Sequence, residues 1–148
     1  MPFSILSNKH PNYGLYLLDY LRKYHPDKVS DTLFITGRED AASETFEKER
    51  AAGSTVEAAQ EEAMRVLLEG LHFSPYALLR EVVENEFTDE VAASDREAFC
   101  RELFPYLKNL LGGYDTSDDT FALSPDHDLL YTELTGTVML YLESHGIQ

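Results

Sequence analysis

Apolar residues recur every three to four positions in several stretches of the chain, the spacing that places them on one face of an α-helix. NYGLYLLDYLRKYH, residues 12–25, predicts a short N-terminal helix, and a second helix is predicted near residues 31–52. No stretch alternates apolar and polar residues in the way typical of β-strands. The pattern therefore predicts an all-α protein.

Start and stop signals divide the next helices. Ser30 or Asp31 is placed to cap the second helix, and Gly53 can take the left-handed conformation that closes it. STVE is typical of a capping box, in which Ser54 accepts a hydrogen bond from the amide of Glu57 while Glu57 reaches back. A third helix is therefore predicted to begin at Ser54. Its predicted apolar stripe is Val56, Ala59, Ala63, Val66 and Leu67.

The segment GLHFSPY separates the third predicted helix from the fourth. Gly70 is expected to end one helix, and Ser74 is expected to cap the next, with Pro75 at its first position. His72 then lies in the link. A linking histidine most often bonds a free helix-end carbonyl or faces water, but His72 is also a candidate functional residue.

The remaining signals predict two further helices and a break. SDRE indicates a capping box of Ser94 and Glu97, and Pro105 is expected to kink or split the helix that follows. Its predicted inward residues are Phe99, Leu103, Tyr106, Leu107, Leu110 and Leu111, and glycines 112 and 113 are expected to stop it.

A last helix is predicted from the Ser124-Pro125 start signal to Gly146. The whole pattern predicts a single-domain irregular bundle of about six helices over residues 1–148.

The charge of the chain is strongly acidic, with 27 Asp and Glu against 12 Lys and Arg and a net charge of −15. This charge repels a phosphate backbone and disfavours direct nucleic-acid binding. It suits a basic protein partner, imitation of the charge of DNA, or simple solubility, and a homodimer also stays open.

Composition also bounds the location and the chemistry. No apolar run approaches a membrane span and the N-terminus lacks signal-peptide features, so we expect a cytoplasmic protein. Cys100 lies near Phe99 and Leu103 in the sequence and is expected to be an inert, buried thiol. Known catalytic and metal-binding motifs are absent from the sequence, so we predict no catalytic residue, metal or cofactor.

Three charged residues fall among apolar positions when the helices are projected at roughly 100° per residue. Arg38 lies within the apolar arc of the second helix, Glu86 between Leu79 and Val82, and Glu133 among leucines of the last helix, beside Gly136. Buried charges are rare unless paired, so Arg38, Glu86 and Glu133 are expected to meet. Such a cluster is either a structural ion-pair network or a binding pocket in which Arg38 holds an anion.

Several blocks of the sequence resemble a known family. They are HP at residues 25–26, FITGRE at 34–39, GLHFS at 70–74, NEF at 85–87 and LLYTELTGTVMLYLE near the C-terminus. The chain resembles a domain-of-unknown-function family of short acidic proteins from Bacteroidetes. The resemblance implies a helical fold and frequent carriage on conjugative, mobile elements. His127 stands where a tyrosine is more familiar.

Two classes of function follow from these observations. The leading hypothesis is a non-enzymatic interaction protein that serves as an accessory or regulatory factor of a mobile element. The alternative is a small hydrolase or ligand-binding protein built on Arg38, Glu86 and Glu133.

Overall fold

The computed structural model describes residues 12–145, and these residues form α-helices and short 3-10 turns without any strand. The all-α prediction is confirmed. The α-helices in this part of the chain are α1 Tyr13–Tyr24, α2 Thr32–Ala51, α3 Val56–Leu67, α4 Pro75–Glu86, α5 Arg96–Leu103, α6 Lys108–Leu111 and α7 Pro125–Ser144. Because α6 is a single turn, the prediction of about six helices is also confirmed.

The helices group into two compact units, with the division between Glu69 and Gly70. In the first unit, α2 packs along α3 and α1 packs against α2. The residues buried on these three helices are Tyr13, Leu17, Leu21, Ala42, Phe46, Ala59, Ala63 and Leu67. A single domain over residues 1–148 stays a prediction.

In the second unit, α4 packs against both α5 and α7. Aromatic rings join its loops to this core: the ring of Phe73 lies 4.5 Å from that of Phe121, and Tyr76 meets Phe104 edge-on at 5.4 Å. The core also contains Leu78, Leu79, Val82, Val83, Cys100, Leu103, Leu107, Leu130, Leu134, Val138 and Leu142.

Two of the predicted helix starts are confirmed by hydrogen bonds. The Asp31 carboxylate accepts from the Phe34 N–H at 3.2 Å, and the Ser74 hydroxyl accepts from the Ala77 N–H at 2.9 Å. Gly53 has a φ of 102°, the left-handed conformation predicted for the end of α2.

The capping box predicted at Ser54 is wrong by one residue. Thr55 caps α3 and accepts a hydrogen bond from the Ala58 N–H at 3.1 Å. Ser54 instead belongs to the end of α2, because its N–H donates to the Glu49 carbonyl and its hydroxyl donates to the Glu49 carboxylate.

The capping box predicted at Ser94 is also wrong. Ser94 lies in a 3-10 turn, Ala93–Asp95, and α5 begins after it without a side-chain cap. The predicted effect of Pro105 is confirmed, since a 3-10 turn over Phe104–Leu107 separates α5 from α6. Tyr106 in this turn is exposed, so its predicted inward position is wrong.

None of the helices within residues 12–145 has the length and apolar character that crossing a membrane requires. The last helix ends at Ser144, and the end predicted at Gly146 lies outside the described residues.

Candidate functional site

Arg38 lies in the middle of α2, where its guanidinium group caps the end of another helix. Its Nη1 donates to the carbonyl oxygens of Leu67 at 3.0 Å and Val66 at 3.4 Å. Carbonyls in the last turn of a helix have no partner within that helix. The guanidinium carbon also lies 4.8 Å from the centre of the Phe34 ring. Arg38 is therefore engaged in holding α3 against α2.

Glu86 is the last residue of α4 and is exposed. Its carboxylate accepts a hydrogen bond from the Tyr131 hydroxyl on α7 at 2.8 Å, and the same hydroxyl accepts from the Asn85 side-chain amide at 3.3 Å. The pKa of Tyr131 is raised, first by burial and further by the Glu86 carboxylate. The predicted inward position of Glu86 is wrong, because its side chain is exposed at the end of α4.

Glu133 lies on the outer face of α7, so its predicted burial is also wrong. Leu129 and Leu140, which share its arc, are 53% and 66% exposed. The Glu133 carboxylate accepts a hydrogen bond from the Tyr114 hydroxyl. This bond is the main reason that the pKa of Tyr114 is raised to about 12. The side chains of α7 that do face the core are Leu130, Leu134, Val138 and Leu142.

Gly136, three residues after Glu133 on α7, is exposed. Among the described residues, no atom lies within 4 Å of the position that a side chain there would take. The glycine thus faces open space. Arg38, Glu86 and Glu133 each bond a group in their own unit, and their convergence stays a prediction.

His72 lies in the link between α3 and α4, as predicted, and its side chain is exposed. The carboxylate of Asp119 binds this link: one oxygen accepts from the Gly70 N–H and the other from the His72 N–H, each at 3.0 Å. The Nε2 atom of His72 is 4.0 Å from the same carboxylate. Asp119 was not singled out from the sequence, where it is one of several acidic residues in a single loop.

The end of α4, the turn that follows it and the second half of α7 line an open groove of about 460 Å³, which we call the acidic groove. Its apolar lining is Phe87, Met139 and Leu142, and its polar lining is Glu86, Glu90, Glu143 and Thr135. The volume falls within the range of roughly 300–1,000 Å³ typical of ligand pockets. The groove therefore combines apolar surface with three carboxylates.

Two of these carboxylates have no partner in the part of the chain that the structure describes. Glu90 and Glu143 are exposed and make no hydrogen bond or ion pair with residues 12–145. Glu86 ends α4 and Glu90 lies in the turn that follows, so their spacing in the sequence gives no signal of a shared site. The contribution of α7 could not be found in the sequence, because it depends on how the two helices pack.

The described residues contain no group of three His, Cys, Asp or Glu side chains arranged to hold a metal ion. The chemistry offered by the acidic groove is instead recognition of a cation that carries an apolar stem. Such a ligand can place its stem over Met139, the exposed apolar residue of the lining, while its charge meets the carboxylates.

The chain is thus small, acidic and, over the described residues, all-helical, with an open groove lined by carboxylates. Residues 7–147 match the family described as a domain of unknown function, DUF1896, and the chain belongs to this family. It is similar to protein PG0816 from Porphyromonas gingivalis, known from a crystal structure, with 35% identity, a TM-score of 0.83 and 92% of each chain covered. This relative supports the expected link to Bacteroidetes. Among curated proteins, no sequence matches the chain.

Proposed function

We propose that the protein is a non-enzymatic interaction protein that binds a basic protein partner in the cytoplasm. It acts as an accessory or regulatory factor of a mobile element. The proposed link to mobile elements rests on the family resemblance.

The observation that carries the proposal is the acidic groove in a chain of net charge −15. Glu90 and Glu143 expose their carboxylates beside apolar surface, which is an arrangement suited to binding a partner. A strongly negative protein attracts a positive one over distance, and this attraction speeds their encounter.

The alternative, a hydrolase or ligand-binding protein built on Arg38, Glu86 and Glu133, has less support. The two carboxylates are exposed and accept hydrogen bonds from tyrosine hydroxyls, while Arg38 donates to backbone carbonyls. Each group already has a structural partner of its own.

The proposal is tested by affinity capture of the tagged protein from its native host, at low and at high salt. We expect a basic protein in near-equal amount, recovered less well at high salt because screening weakens the attraction. The complex should form again from the two purified proteins. Recovery of no partner, or of an acidic partner held equally well at high salt, would contradict the proposal.

A further inference from the structure

We infer that the acidic groove is the docking site for a basic amphipathic helix of the partner, an inference that rests on the proposed function. An amphipathic helix has an apolar face and a charged face, and the groove has both apolar and charged lining residues. Met139, which is 47% exposed, provides apolar contact beside the buried Phe87 and Leu142, while Glu90 and Glu143 provide charge at the rim.

Lysine and arginine fit this combination because each carries an apolar stem that ends in a cation. The stem can lie over Met139, which is 47% exposed, and the head group can reach a carboxylate that has no partner among residues 12–145. Glu86 is already bonded to Tyr131, so Glu90 and Glu143 are the principal contacts for the cation.

Outside the groove, α7 exposes two further leucines, which favours a peptide segment over a small polyamine. Leu140 follows Met139 in sequence and is 66% exposed, and Leu129 lies on the same outer face. A small cation leaves these side chains in water. An amphipathic helix lays an apolar face on such a surface and anchors it at intervals of one turn.

The experiment measures binding of a synthetic helical peptide of leucine, lysine and alanine, by fluorescence anisotropy, to the full chain. The groove variant is Glu90→Gln with Glu143→Gln. Its matched control, Glu57→Gln with Glu61→Gln, removes the same charge from exposed positions on α3. Losing two exposed ion pairs should raise the Kd about fivefold. We therefore expect about fivefold weaker binding by the groove variant and little change in the Kd of the control variant.

A second pair of variants tests the apolar surface. Met139→Thr removes apolar contact from the groove, whereas Leu33→Thr changes a residue that is 86% exposed on α2. We expect Met139→Thr to bind the peptide about fivefold more weakly, because apolar area buried in the complex is lost. Leu33→Thr should bind it with unchanged affinity. Both positions are exposed in the free protein, and circular dichroism checks that the variants fold.

Equal weakening in the groove and control variants would mean that total charge, and not the groove, binds the peptide. That result, or no binding by the wild-type protein, would overturn the inference. Spermidine binding as tightly as the peptide would overturn it too, as would a dimer in light scattering that Met139→Thr abolishes. Capture of a basic partner with unchanged affinity for the groove variant would leave the proposed function standing while this inference fails.

Discussion

Asp119 shows how one side chain can fix a loop. Its two carboxylate oxygens accept separate hydrogen bonds from the backbone N–H groups of Gly70 and His72, two residues apart. Gly70 has a φ of 80°, a conformation that glycine adopts easily. The carboxylate thus holds the entry to α4 in place from a distant part of the chain.

Replacing Asp119 by alanine should lower the free energy of unfolding by about 1–2 kcal/mol, because two backbone donors lose a charged acceptor. Urea denaturation followed by circular dichroism measures the change. Asp115→Ala is the matched control from the same loop, since its carboxylate accepts a bond from nearby Ser117. An Asp119→Ala protein as stable as this control would contradict the assigned role.

The ionisation of the Tyr114 phenol makes the stability of the fold depend on pH. Its pKa is raised to about 12, first by the hydrogen bond to Glu133, against an ordinary value of roughly 10. The fold therefore favours the protonated phenol. This stabilisation is fully present below about pH 10 and is lost as the pH rises towards about 12.

Ultraviolet absorbance of phenolate, titrated in the wild type and in Tyr114→Phe, isolates this group by difference. The difference curve should have its midpoint near pH 12. Glu133→Gln removes the charged acceptor and should move that midpoint towards the ordinary value of roughly 10. A midpoint that Glu133→Gln leaves unchanged would show that the carboxylate is not its cause.

Individual helices were predicted well wherever local chemistry decides their ends. Ser74 followed by Pro75 marks a start that needs no other part of the chain. Ser54 and Ser94 carry equally good local signals for a helix start. However, the Ser54 hydroxyl is hydrogen-bonded to Glu49 near the end of α2, and Ser94 lies within a 3-10 turn. In each case, the structure that competes with the predicted cap is the element directly before the helix: α2 for Ser54 and the 3-10 turn for Ser94.

The buried side of α7 could not be predicted because this helix is apolar on nearly every side. Leu129 and Leu140 are as apolar as Leu130 and Leu134, yet the first pair is exposed and the second buried. Packing against α4 and the rest of the core of the second unit selects between them. For that reason the sequence pattern predicts Glu133 inward, and it does not indicate that Glu143 lines the acidic groove.

Ser74→Ala should lower the free energy of unfolding by about 1 kcal/mol, because it removes the acceptor for the Ala77 N–H at the start of α4. Ser94→Ala is the comparison, since it has the same change at a position without a capping bond. Thermal or urea denaturation of both variants tests the two assignments together. Equal losses would mean that the caps are wrongly assigned.

The whole chain divides into two compact units, and the second has a contiguous core of its own. We therefore expect residues 70–148 to fold alone, with a helical circular dichroism spectrum and a cooperative thermal transition. Leu134→Ala, a fully buried change, should cost about 2–5 kcal/mol and abolish that transition in the fragment. A fragment with a random-coil spectrum would show that this core depends on residues 1–69.

The core of that second unit also holds the only cysteine of the chain, Cys100, which is fully buried. Burial raises the pKa of its thiol to about 11, so thiol reagents should label it only when the core opens. The rate at which reagents label Cys100, followed by mass spectrometry, therefore measures how often the core opens, and the experiment needs no engineered residue. A disulfide-linked dimer on a non-reducing gel accordingly identifies molecules that have opened, and does not report the native assembly.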